Sequence, residues 1–345
     1  MSVRTSSLIF FVVVLSGILS ACGGGASTEQ AETGRAAGQG ESAGGPIAWT
    51  LLPQFPPRSQ VITRRSLGLN DLTMVDSNTG WVVGTDGAVG RTTDGGDTFV
   101  LQKTGISINL TAVSFPDSQN GWAVGTAGTV LRTRDGGINW EKLERVEGVF
   151  SLDGVFFLDA NTGWAAADFG AIYSTSDGGD TWIKQETDTL EDFLDLAFVD
   201  GLNGWVVGFG GVIYQTTDAG VSWSQQTSGT EAILNSVYFL DGQTGFVVGE
   251  KGTVISTSDG GATWTSRVSG FTTDLFGVFA LDSQNVWAVG SGNLIIRSTD
   301  GGASWTQQDT LTTGETLKGI FLSSDKNGLA AGSGGRIWKY GPATP

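Results

Sequence analysis

The sequence predicts an all-β protein, a seven-bladed β-propeller of four-stranded blades whose ring is closed by its N-terminal strand. Three observations predict it. An eight-residue unit recurs six times, as TTDGGDTF (92–99), TRDGGINW (133–140), TSDGGDTW (175–182), TTDAGVSW (216–223), TSDGGATW (257–264) and STDGGASW (298–305). Its aspartates, Asp94, Asp135, Asp177, Asp218, Asp259 and Asp300, are spaced 41, 42, 41, 41 and 41 residues apart, and a fixed period of that length marks a stacked or radial repeat. A second motif occurs seven times between and after them, as GWVVG (80–84), GWAVG (121–125), GWAAA (163–167), GWVVG (204–208), GFVVG (245–249), VWAVG (286–290) and GLAAG (328–332). Between these motifs apolar and polar residues alternate with period two, and helical periodicity is absent.

The N-terminus reads as a targeting segment. One early cation, Arg4, precedes an apolar run from Leu8 to Leu19, too short to span a bilayer comfortably, so residues 1–21 are expected to be a signal peptide. The run closes with Leu19-Ser20-Ala21-Cys22, which resembles a bacterial lipobox, and Cys22 is the expected lipidation site. Residues 22–45 hold no large apolar side chain and cannot bury a core, so they form the expected flexible tether, with a reach of roughly 25–30 Å by random-coil scaling. The expected location is therefore the cell envelope, lipid-anchored and extracytoplasmic, on the outer membrane where the host has one, since Gly23 follows the cysteine.

Residues 46–345 carry the blades. In one period LTAVSFPD (110–117) alternates as an inner strand, SQNG turns into WAVG, TAG turns into TVLRT, and DGG turns into the edge strand that begins NWEKLE. The seventh copy, LKGIFLSSDKNGLAAGSGGRIWKYG, supplies only three strands. The missing outer strand is expected at GGPIAWTLLPQ, which matches the tail of GGASWTQQ and places Trp49 as a box tryptophan. A ring closed in this way has no exposed sheet edge, and a monomer is expected.

The repeated residues read as structural. An aspartate before Gly-Gly accepts hydrogen bonds from its own turn, and glycine supplies the positive φ of a tight reversal. A catalytic group is needed once, not six times, and a calcium loop needs more oxygen ligands along a longer loop. Of 12 tryptophans, ten recur at two places in the blades, where they pack neighbouring sheets. With no histidine and a single cysteine, His-dependent triads, His-ligated metals, disulfides and thiolate zinc sites are excluded, and no cofactor or metal is expected. A formal charge of −16 excludes binding to nucleic-acid phosphates.

The repeat resembles the Asp-box of bacterial-neuraminidase-type repeats. GWxVGxxGxIxxTxDGGxTW at this period is more narrowly similar to the photosystem II assembly and stability factors, over nearly everything from Trp49 to Tyr340. That resemblance implies a non-enzymatic scaffold that binds a reaction-centre protein at a membrane, with arginines at the binding surface. Here Arg91, Arg132 and Arg297 recur three residues before the box aspartate, with Arg64, Arg65 and Arg134 as possible extensions. The alternative is a carbohydrate-active enzyme of sialidase or glycosidase type. The sialidase signature is missing, and Glu191, Asp192 and Asp195 are the available source of a glycosidase's carboxylate pair.

Box turns and SQNG-type turns are expected at one end of the ring. The opposite end, with the loops entering each inner strand, is the expected binding face for a protein or peptide partner. Its candidate contacts are Phe169, Phe193, Phe209 and Phe276, and the acids around them suit a basic partner. The anchor is directly testable. Changing Cys22 to Ser should move the protein from the membrane to the soluble fraction without unfolding it, and a variant that stays membrane-bound through a high-salt wash would exclude the lipid anchor.

Overall fold

The computed structural model describes residues 47–55, 67–308 and 314–342. The expected signal peptide, Cys22, the tether, Arg64 and Arg65 lie outside the described residues. The described chain forms seven four-stranded antiparallel sheets. Blade 1 is built from Leu69–Met74, Gly80–Gly84, Val89–Thr92 and Val100–Leu101. Blades 2 to 6 repeat this order, with inner strands Leu110–Ser114, Leu152–Phe157, Phe193–Phe198, Leu234–Phe239 and Leu275–Ala280. Blade 7 takes Leu317–Ser324, Asn327–Gly332 and Arg336–Pro342 from the end of the chain and Ile47–Leu51 from its beginning.

The closing strand sits in the expected register. Thr50 faces Lys339 as Ile183 faces Ser174, so Trp49 occupies in blade 7 the place of Trp182 in blade 3. Its strand begins three residues earlier than in the other blades. Blade 7 has no box turn, so its third strand runs on to Pro342 and offers pairing partners to Ile47, Ala48 and Trp49.

The seams between blades explain the repeated motif. The second-strand indole of one blade stacks on a phenylalanine at the end of the next blade's inner strand: Trp81 on Phe115 at 3.5 Å, Trp122 on Phe157 at 3.6 Å, Trp164 on Phe198 at 3.9 Å and Trp205 on Phe239 at 3.6 Å. The box tryptophan meets the same phenylalanine edge-on, as Trp182 does Phe157 at 5.9 Å. Each buried indole N–H donates to the residue after the next blade's box aspartate, at 3.2 Å to the carbonyl of Gly136, 2.9 Å to Gly178, 3.0 Å to Ala219 and 3.0 Å to Gly260. The glycine before the tryptophan is required by the same phenylalanine. A Cβ at Gly121, Gly163 or Gly204 would stand 2.2, 2.6 or 2.4 Å from the ring of its own blade. In blade 6 the inner strand ends in Ala280 instead, and Val286 fills the space opposite it.

The box aspartates do turn work. The Thr175 hydroxyl accepts from the Gly179 amide at 2.9 Å and donates to Asp177 at 2.8 Å, and the carboxylate accepts from the Thr181 amide at 2.9 Å and its hydroxyl at 2.6 Å. The same set recurs at Asp94, Asp218, Asp259 and Asp300, and at Asp135 with Asn139 in the hydroxyl's place. Hydrogen bonds from the Thr181 hydroxyl and amide hold the Asp177 carboxyl below the usual carboxylate range. Removing it with Asp177→Ala should cost about 1–3 kcal/mol through unpaired turn donors. Calorimetry should give the same loss with calcium as with chelator, and a wild-type melting temperature that rises with calcium and does not in the variant would assign the box to metal binding.

Candidate partner-binding face

The two ends of the ring differ as the sequence predicts. At one end each box turn bonds to the turn between the first two strands of its own blade, as Gly178 donates to the Asn161 carbonyl at 2.8 Å. At the other end the short turn after the second strand bonds to the loop entering the inner strand of its own blade, as Phe209 donates to the Asp192 carbonyl at 2.9 Å, and in blade 3 also to the loop entering the next, as Gly170 donates to the Glu191 carbonyl at 2.9 Å. The second end therefore presents irregular loops around the mouth of the central channel.

The mouth is a cavity of about 520 Å³, lined by the second residue of every inner strand: Asn70, Thr111, Asp153, Leu194, Asn235, Phe276 and Lys318. A further cavity of about 320 Å³ lies deeper, among Thr73, Tyr238, Phe279 and Phe321. Lys318 donates to Asn70 Oδ1 at 3.0 Å, and burial draws its ammonium below the usual lysine range. Burial raises the Asp153 carboxyl, against a hydrogen bond from Ser151 and with help from Asp168 and Asp192.

Asp71 and Asp195 line both cavities and act as clamps between blades. Asp71 accepts from its neighbour Leu72 at 2.7 Å and from Val113 of blade 2 at 2.9 Å; Asp195 accepts from Leu196 at 2.8 Å and from Val237 of blade 5 at 2.9 Å. Three blades use a glycine at this bulged position instead, Gly154, Gly277 and Gly319, where a Cβ would meet the next blade's backbone at 3.1, 2.2 and 2.8 Å. Burial in the channel wall outweighs the amide bonds and pushes the Asp71 carboxyl up to about 7 and the Asp195 carboxyl up to about 6.

The expected contacts divide. Phe169 and Phe209 are exposed, 52% and 37%, in successive turns of blades 3 and 4. Phe169 holds a positive φ of 58°, a conformation that favours glycine and is uncommon for an aromatic residue. Phe276 is half-buried in the channel mouth. Phe193 corrects the expectation of an exposed aromatic. It opens the inner strand of blade 4 in the register of Leu110 and Leu152, is buried, and meets Tyr214 edge-on at 5.6 Å.

Arg91, Arg132 and Arg297 do not gather into a patch, and all three lie away from the second end. Arg132 is buried, donating to the Gly178 carbonyl and pairing with Asp180 at 2.9 Å and Glu141 at 3.0 Å. Arg91 lies over the Trp81 ring at 5.7 Å, and Arg297 over Trp287 at 4.6 Å. Each sits in a seam of its own near the box turns. Of the three acids offered for a glycosidase pair, only Asp195 lines the channel cavity; Asp192 accepts from the Phe169 amide at 2.8 Å, and Glu191 is exposed on its loop.

Two exposed residues beside Phe169 escape repeat-based reading. Phe150 is 74% exposed and meets Phe169 edge-on at 5.6 Å, and Leu190 is 82% exposed on the loop that Phe169 and Gly170 bond to. Both lie in inter-blade loops, outside any repeated column. A scan for large apolar residues in those loops alone would have found them.

A family model described as Photosynthesis system II assembly factor YCF48 matches residues 56–191, 139–227, 181–266 and 221–309 as overlapping copies. The chain belongs to this family. Among curated proteins no sequence matches it. Among solved structures, one of YCF48 bound to D1 peptide superposes with a TM-score of 0.69 at 20% identity, covering 87% of this chain and 97% of that one. YCF48 from Cyanidioschyzon merolae superposes with a TM-score of 0.69 at 22% identity, over 86% and 99% of the two chains. The GH74 enzyme of Niastella koreensis matches with a TM-score of 0.65 at 14% identity, over 80% of this chain and 53% of that one. At these identities the structures share the fold, and family membership rests on the repeat-by-repeat match.

The clamps give this family member a pH signature. A carboxyl raised in the fold binds its proton more tightly there than in the unfolded chain. Its stabilising contribution is therefore full below about pH 4 and lost as pH rises through about 6 to 7. The box aspartates, held low, act in the opposite sense and only at more acidic pH. Across pH 4.5–8 the melting temperature of the wild type should fall relative to that of an Asp71→Asn, Asp195→Asn double variant. A constant difference across that window would contradict the raised values.

Proposed function

We propose that this protein is a membrane-tethered, non-enzymatic propeller scaffold that binds a protein or peptide partner and serves the assembly or stability of a membrane complex. The observation that carries the reading is a division of labour in the blades. Box carboxylates, indoles and seam arginines are engaged in turns and inter-blade contacts, while large apolar side chains left over by the fold stand exposed at the second end. Membership of a family of assembly factors supports the same role, as does a solved YCF48 bound to a D1 peptide. The lipobox and tether would hold such a scaffold at the envelope as a monomer.

The shared fold of GH74 enzymes supplies the alternative. It is weakened here because Asp195 uses its two oxygens on amides of two blades, and Glu191 and Asp192 stand outside the channel. Affinity capture with the wild-type protein from detergent-solubilised membranes of its own host should enrich one or a few membrane-complex proteins. Hydrolysis of a β-glucan by the purified protein, lost in Asp195→Asn, would overturn the scaffold reading in favour of an enzyme.

A further inference from the structure

Charge is distributed unevenly along this chain. Residues 146 to 250 hold 16 aspartates and glutamates and a single cation, Lys184, for a formal charge of −15, whereas the whole chain carries −16. The segment runs from the loop that enters blade 3, just after Arg145, through blades 3 and 4 to Glu250, just past the second strand of blade 5 and before Lys251. Everything else is nearly neutral, so the molecule has an acidic sector rather than an acidic surface.

Four exposed apolar residues of the second end, Phe150, Phe169, Leu190 and Phe209, fall in the same sector. Phe150 and Phe169 touch edge to face, Phe169 and Gly170 bond to the Glu191–Asp192 loop that carries Leu190, and Phe209 donates to the Asp192 carbonyl. The four side chains thus form an arc along the rim of blades 3 and 4. Some nearby carboxylates are engaged locally: Asp168 accepts from the Phe150 and Ser151 amides at 2.9 Å, and Asp188 accepts from the Tyr214 hydroxyl at 2.5 Å. Glu147, Glu191 and Glu231 are exposed, and none of them is in an ion pair among the described residues.

We propose that this rim is the docking surface for a cationic amphipathic segment of the protein partner. Apolar side chains of that segment would cover the arc of Phe150, Phe169, Leu190 and Phe209, while its lysines or arginines would face Glu147, Glu191 and Glu231. The inference rests on the scaffold reading above and adds to it the face and the chemistry of the partner. Charge complementarity selects the occupant. A field of this sign attracts a polybasic segment over distances of about a Debye length and repels both nucleic acid and anionic headgroups. The apolar arc then supplies the short-range contact, since interface energy concentrates in a few large desolvated side chains. Phe169 fits this role, because its turn would be served better by glycine, the residue that blades 4, 6 and 7 place there as Gly210, Gly292 and Gly334.

The test uses the full chain in detergent and three probes. They are a fluorescent 18-residue Lys/Leu amphipathic peptide, its Glu/Leu counterpart, and phosphatidylcholine vesicles containing phosphatidylglycerol. The Lys/Leu peptide should bind, with Kd rising about tenfold or more between 50 and 300 mM salt, and neither other probe should. A Phe150→Ser, Leu190→Ser variant should weaken binding about tenfold at every salt concentration. A Glu147→Lys, Glu191→Lys, Glu231→Lys variant should abolish most of the salt dependence. An Ile138→Ser, Val221→Ser control, exposed at the box turns, should bind as wild type. Equal binding of both peptides, binding to the vesicles, or unchanged affinity in the rim variants with an unchanged melting temperature would each overturn the proposal. If captured membrane partners survive the rim variants, the face is wrong and the scaffold reading stands. If the wild type binds the cationic peptide but captures no partner, the surface stands and the scaffold reading falls.

Discussion

An indole holds each of four blades to the next by two contacts made at once. Its face stacks on the phenylalanine that ends the neighbouring inner strand, and its N–H donates to a carbonyl in the neighbouring box turn. Both partners are buried, so neither contact competes with water, and an unmade N–H bond there would leave a costly orphan donor. The rest of the seam follows from this pair. The phenylalanine demands a glycine beneath it, the carbonyl must be presented by a turn of defined shape, and the Thr–Asp–Gly-Gly unit is what gives that turn its shape. Ala280 and Val286 show the rule from its exception, where a lost ring and a gained side chain compensate in one blade.

A seam that uses the repeated residues leaves the irregular ones to do something else. The turns after the second strands and the loops between blades are joined by backbone bonds that do not depend on side-chain identity. Side chains there are free to vary, and the exposed phenylalanines, the exposed leucine and the uncompensated glutamates all occur where variation is allowed. The channel lies between these extremes. Its mouth is lined by one residue from each blade, but Asp71 and Asp195 are engaged in joining blades.

How much of the site could be read from the sequence depends on the element that carries it. Phe169 and Phe209 were legible because they sit in turns marked by the motif before them. Phe193 misled because its side chain resembles theirs while its position does not. It begins an inner strand and fills the column occupied by leucine in the other blades, which an alignment of the repeats would have displayed. Phe150 and Leu190 lie in loops that no repeat constrains, so periodicity was silent about them. The arginines were legible as a recurring column, but a column is not a patch. Residues 41 or more apart in sequence fall in separate seams, each satisfied by its own ring or carboxylate.

The sequence by itself determined the number of blades, their four strands, the closure through Trp49 and the role of the box aspartates. Those features are set by local chemistry repeated at a fixed period: turn hydrogen bonds, strand alternation and a missing strand that one other segment matches. Only the tertiary structure decided which aromatics face solvent and which charges stand together. Exposure at the rim is settled by packing between loops that are distant in sequence, as where Phe150 from one loop meets Phe169 from another. The acidic sector was present in the composition all along, but it became a surface only when blades 3 to 5 were placed side by side and their loops brought to one end of the ring.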